Sequence, residues 1–170
     1  EQLAALPIDP SPAAYRRAIE ATSERSEWDA LVEPSARRVY LNGTDARGIA
    51  HKVLSAVEDG PIPSLVSPGE PPDRGVWEPQ RVRAVAAAMA LAWERETPVE
   101  RAILEYPASG VVRTVRLTTH NRALYRRTLR TVRSLDGPPP RLTDSAKCEP
   151  CEYSDRCGVR TRSVRSMLGL

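Results

Sequence analysis

Pro79-Gln80-Arg81-Val82-Arg83-Ala84-Val85-Ala86-Ala87-Ala88-Met89-Ala90-Leu91-Ala92-Trp93-Glu94-Arg95-Glu96 is the stretch on which the fold turns. Val82 to Trp93 is apolar nearly all the way round, as expected of a helix buried against a sheet. Its many alanines permit close approach of a neighbour, and Pro98 stops it. The segments on both sides read as strands. Before it come Arg37 to Leu41, closed by the turn Asn42-Gly43, then Gly48 to Leu54, then Ile62 to Ser67, with Asp59-Gly60-Pro61 as the turn between the last two. After it come Ala102 to Tyr106 and the alternating Val111 to Leu117, joined at Ser109-Gly110.

Two further helices frame these strands. Ser11-Pro12 is an N-cap followed by proline at the first helical position, and the helix from Ala13 to Val32 ends at Glu33-Pro34. A last helix runs from about Thr119 to Leu135. One stripe of it is Leu124, Tyr125, Thr128, Leu129, Val132 and Leu135, and another is Arg122, Arg126, Arg130 and Arg133. The order is α-β-β-β-α-β-β-α, an α/β fold. Residues 1–140 read as its core and 141–170 as a cysteine loop with a basic tail packed on it, a single domain overall.

That tail holds all three cysteines: Lys147-Cys148-Glu149-Pro150-Cys151-Glu152-Tyr153-Ser154-Asp155-Arg156-Cys157. Cysteines used as core filler are scattered singly. Three thiols within ten polar residues read instead as ligands to zinc or an iron–sulfur cluster. A disulfide with a leftover thiol, or reduced unligated cysteines, are the alternatives. Both metal sites ordinarily use four protein ligands. This chain supplies three sulfurs, which leaves the fourth ligand open. Clustered thiols without a secretion signal suit a reducing cytoplasm, and no apolar run is long enough for a bilayer.

Charge is uneven. From Thr119 onward there are eleven Lys/Arg against five Asp/Glu, and before it fourteen against seventeen. A basic end rich in arginine suits a polyanion, nucleic acid before membrane. An ordinary solvated face is the alternative for the arginine stripe.

The strand hairpin ending in Tyr106-Pro107, the basic helix, the prolines at 138–140 and the Lys-Cys-x2-Cys-x-Tyr-x3-Cys of 147–157 together resemble the CRISPR-associated, RecB-like exonuclease family, of PD-(D/E)XK nuclease fold. The resemblance spans Arg37 to Arg160, and the cysteine spacing is its most specific part. It implies a [4Fe–4S] cluster on Cys148, Cys151 and Cys157, with zinc as the alternative, and a fourth ligand expected upstream of Glu1, since the chain opens without Met, or at Ser35, His120 or another chain. It also implies DNA, as single strands or duplex ends, as the partner, with other DNA-processing or CRISPR proteins as further partners. The family's nuclease uses an Asp on the second strand and a Glu-x-Lys on the third to hold Mg²⁺ or Mn²⁺ and activate water. Here those positions read His51, Leu65 and Ser67. Of its helical Gln and Tyr motif, Gln80 is present and Ala84 stands at Tyr.

Three functions follow. The leading expectation is a DNA-binding, nuclease-like protein with a lost or altered cleavage centre, working in DNA processing, repair or CRISPR adaptation. It would hold DNA through Arg122, Arg126, Arg130 and Arg133 and through Arg160 and Arg162 of the tail. The second is an active metal-dependent exonuclease, with carboxylates drawn from Asp45, Glu58, Asp59, Glu70 or Asp73. The third is a protein-interaction module. His51 reads either as a ligand or base or as a structural residue.

Overall fold

The computed structural model describes residues 31, 33–56, 60–137, 152, 153 and 156. Five strands form one mixed sheet in sequence order: β1 (Ala36–Asn42), β2 (Arg47–Ala56), β3 (Gly60–Val66), β4 (Arg101–Tyr106) and β5 (Val111–Arg116). Helix α1 (Glu78–Arg95) lies between β3 and β4 in the chain, and α2 (Thr119–Arg133) follows β5. The strands and helices expected between Arg37 and Leu135 are all present. The helix expected over 13–32 lies, but for its buried Leu31, outside the described residues. The α/β class therefore holds as a mixed five-stranded sheet with two described helices.

The direction of each pairing follows from its connection. Only a few residues separate β1 from β2, β2 from β3 and β4 from β5, and these pairs are antiparallel. A helix separates β3 from β4, and that pair is parallel, as a crossover requires. Proline donates no hydrogen bond, yet Pro61 and Pro63 sit in the central strand. They are accommodated because the ladder to β4 begins only at Ser64, so both lie where β3 is paired on one side.

Alternation sorts the side chains into two layers. Leu65, Ala102, Leu104 and Tyr106 face α1 and pack with Ala84, Val85, Ala88 and Leu91. Leu54, Ile62, Ile103 and Val112 form a second cluster with Leu31 on the other face. Helix α1 starts behind Trp77, with Pro79 in its first turn. It ends at Glu96 in a left-handed conformation, with the N–H of Thr97 returned to the carbonyl of Ala92. It is not buried all round. Ala84, Val85, Ala88, Ala90 and Leu91 are buried, whereas Trp93 is 63% exposed, because the sheet covers one side only. Alanine tolerates this, since it carries little apolar surface to leave in water.

The chain divides into two compact units, 1–129 and 130–170, with the boundary inside the last turn of α2. In the first, Leu124 and Tyr125 are buried. In the second, Val132 is 58% exposed, and the N–H of Arg156 donates to the carbonyl of Tyr153 in a single turn. Among the described residues no helix is long and apolar enough to cross a membrane.

Candidate functional site

The β1–β2 hairpin contains a defect in its alternation. Ala36 and Val39, three residues apart, both pack against the α1-side core, and so do Ala50 and Val53 on the facing strand. A regular strand would send residues three apart to opposite faces. The break falls between the pairs Arg37–Lys52 and Val39–Ala50, where Arg38 adopts a left-handed conformation with φ of 50°. His51 lies across from it.

At this bend β2 and β3 part, and the pairing between them ends at Lys52–Ser64. The next ladder bond is replaced by a side chain: the N–H of Val66 donates to Nδ1 of His51 at 3.1 Å. An Nδ1 that accepts is unprotonated, so the neutral ring carries its hydrogen on Nε2. Partial burial lowers the pKa of His51 from its ordinary value. Arg83 and Lys52 push the same way, and Glu105 opposes them. The bend thus holds His51 as a neutral hydrogen-bond donor.

Leu65 is buried under α1, and Ser67 is buried just beyond the end of β3. The N–H of Ser67 donates to the carbonyl of Glu105 at 2.8 Å. Its Oγ accepts from Nε2 of Gln80 at 2.8 Å, and Oε1 of Gln80 accepts from the hydroxyl of Tyr106. Burial raises the pKa of Tyr106, with Arg113 opposing, which keeps the phenol protonated and donating. The tyrosine that partners Gln80 comes from β4, while Ala84, one turn along α1 from Gln80, is fully buried. His51, Ser67 and Gln80 therefore gather around the end of β3.

A second polar group sits on the opposite face. Lys52 Nζ donates to Glu105 Oε2 at 2.6 Å, and the buried Ser64 donates to Glu105 Oε1 at 2.5 Å. The three residues come from β2, β4 and β3. The sequence reading assigned them no part. The signal for Lys52 and Glu105 was a single formal charge in each of two largely apolar stretches, Ile49 to Leu54 and Ala102 to Tyr106.

The remaining expected site residues are dispersed. Arg122 turns its Nε back to the carbonyl of Leu117 at 3.0 Å, while Arg126, Arg130 and Arg133 are exposed on α2. His120 is exposed in the first turn of α2. Ser35 donates its hydroxyl to the carbonyl of Val53 at 2.8 Å. Asp45, Glu70 and Asp73 lie on exposed turns, and Glu58 and Asp59 are outside the described residues. Cys148, Cys151, Cys157, Arg160 and Arg162 are also outside them. Among the described residues no three of His, Cys, Asp and Glu are grouped as metal ligands would be.

Beside the bend a groove of about 220 Å³ opens between the β1–β2 hairpin and α1. Leu41, Leu65, Ala86, Ala87 and Ala90 give it an apolar lining, and Arg47 and Arg83 line it as well. Neutral donors beside two guanidiniums suit an anion bearing an apolar ring or chain. No protein-family model matches this sequence, and no curated protein is similar to it.

Proposed function

We propose that this chain is a nucleic-acid-binding protein on a nuclease-like α/β core, with an altered cleavage centre, acting in DNA processing, repair or CRISPR adaptation. The observation that carries this reading is the gathering of His51, Ser67 and Gln80 at the end of β3, beside a groove bearing Arg47 and Arg83. The Nε2 hydrogen of His51 and the exposed guanidiniums of Arg47 and Arg83 are donors and cations suited to holding a phosphodiester, and Ser67 and Gln80 brace the end of β3 beside them. The resemblance puts His51 and Leu65 where a metal-dependent nuclease carries its carboxylate pair, and Ser67 where it carries its lysine. Exposed Arg126 and Arg130 extend the basic character along α2. In keeping with the resemblance, Cys148, Cys151 and Cys157 are the ligands proposed for a [4Fe–4S] cluster, which iron, sulfide and zinc analysis of anaerobically purified protein tests.

Fluorescence anisotropy with labelled single-stranded and duplex DNA tests the main reading. Binding should weaken steeply with salt, as phosphate contacts dictate, and the double substitution Arg126→Ala, Arg130→Ala should reduce it. The same DNA incubated with Mn²⁺ or Mg²⁺ should stay intact. Digestion abolished by a chelator would replace this reading with that of an active exonuclease, and absence of binding at low salt would remove it.

A further inference from the structure

We propose that the groove between the β1–β2 hairpin and α1 binds one nucleotide of an unpaired DNA strand, its phosphate on Arg47 and Arg83 and its base against the apolar wall. Gly48 opens the site. It pairs with Leu41 across the hairpin, and residues paired in an antiparallel ladder share a face. Leu41 points into the core beneath α1, so a side chain at position 48 would project to the same side. Gly48 has none, it lines the groove, and among the described residues a Cβ built there meets nothing within 4 Å. Its φ is not left-handed, so the backbone does not demand glycine. A strand-interior glycine with open space before it leaves room for the close approach of a ligand.

Charge and size select the occupant. Arg47 and Arg83 are exposed, and neither has an ion-pair partner among the described residues. Among the described residues no carboxylate lines the groove. Guanidiniums without acids beside them favour phosphate, which they contact in bidentate fashion. The methyl and isobutyl groups of Leu41, Leu65, Ala87 and Ala90 supply an apolar wall for the face of a base. A volume of about 220 Å³ is below that of sites that swallow a drug-sized ligand, so the groove takes a single base and not a stacked pair. The inference rests on the nucleic-acid reading for the source of the nucleotide, but it uses residues apart from the α2 arginines.

The test compares wild type, Gly48→Phe and Arg83→Ala of the full chain, each checked for an unchanged melting temperature. The probes are linear oligothymidylate, thymidine 5′-monophosphate, and a relaxed, covalently closed circular duplex. Filling the groove with Phe, or removing one guanidinium, should weaken oligothymidylate binding about tenfold or more, as loss of a charged hydrogen bond does. Binding of the closed duplex, which offers no unpaired base, should be unchanged in Gly48→Phe. Unaltered oligothymidylate affinity in both variants would overturn the groove while leaving the nucleic-acid reading intact. Thymidine monophosphate binding that Gly48→Phe abolishes, in a protein that ignores the duplex, would keep the groove and remove duplex DNA from the proposed function.

Discussion

The β4–β5 and β1–β2 hairpins are both antiparallel pairs flanking β3, yet they are built to different standards. In β4–β5 six consecutive pairs run from Arg101–Arg116 to Tyr106–Val111, alternation is unbroken, and Gly110 supplies the left-handed turn residue. In β1–β2 the alternation breaks midway, and the left-handed residue is Arg38, inside the strand. A non-glycine residue so placed costs about 1–2 kcal/mol. The regular hairpin is scaffold. The irregular one parts from β3, frees the N–H of Val66 for His51, and leaves the groove at Gly48. Where local rules are broken against their cost, a site is the expected reason.

The largest effect should come from cutting what ties the two hairpins together. Glu105 on β4 accepts from Lys52 on β2 and from the buried Ser64 between them. Glu105→Ala leaves a largely buried ammonium and a buried hydroxyl without their acceptor, and should cost about 3 kcal/mol in urea unfolding. A loss under about 1 kcal/mol would mean that the hairpins are held together by β3 alone. Next in size, Gly43→Ala should cost about 2 kcal/mol, because its Cβ would sit 2.8 Å from the Cα and Cβ of Ala90. Gly48→Ala, on the same hairpin, should cost almost nothing. Equal losses would erase the distinction between a seat and a groove.

A smaller effect reverses sign between the hairpins. Arg38→Gly should raise stability by about 1 kcal/mol by relieving the left-handed backbone. Arg116→Gly, in regular β5, should lower it by about 0.5–1 kcal/mol. Destabilisation by both would show that Arg38 is not strained.

The smallest effect concerns pH. The folded pKa of His51 lies below its unfolded value, so the unfolded chain takes up the proton first on acidification. Stability from His51 is therefore held above the unfolded value, about pH 6.5, and lost as pH falls from there toward the folded value. His51→Gln retains an acceptor for Val66 without a titrating ring. The stability difference between wild type and variant, measured by urea midpoints from about pH 7 to pH 5, should shift against wild type at the acid end. A flat difference would mean that the imidazole titrates freely at the bend.

The elements of the fold were legible because each announces itself locally. Alternation marks Val111 to Leu117, Asn42-Gly43 marks a turn, and Pro98 ends a helix. The site was legible only as a place. His51, Leu65, Ser67 and Gln80 were singled out, but not the bond that turns His51 toward Val66 or the partner that Tyr106 gives Gln80. Those contacts join residues 15 and 26 positions apart. The Glu105 group joins residues 53 and 41 apart, through register that no local window carries. Arg38 has no signature at all, since arginine ordinarily shuns left-handed backbone. The exposure of Trp93 escaped notice because apolar periodicity records what a helix can bury, not how far the sheet extends.

The bond from Val66 to His51 gives the sheet an internal indicator. In a ladder, an amide answers only to another stretch of backbone. This one answers to an imidazole that titrates, that feels Arg83, and that stands next to the groove. When the ring gains a proton on Nδ1 it can no longer accept, and the Val66 amide must lose its partner. One backbone resonance, and one rate of exchange with solvent deuterium, thereby reads out the charge state of the bend from within the fold.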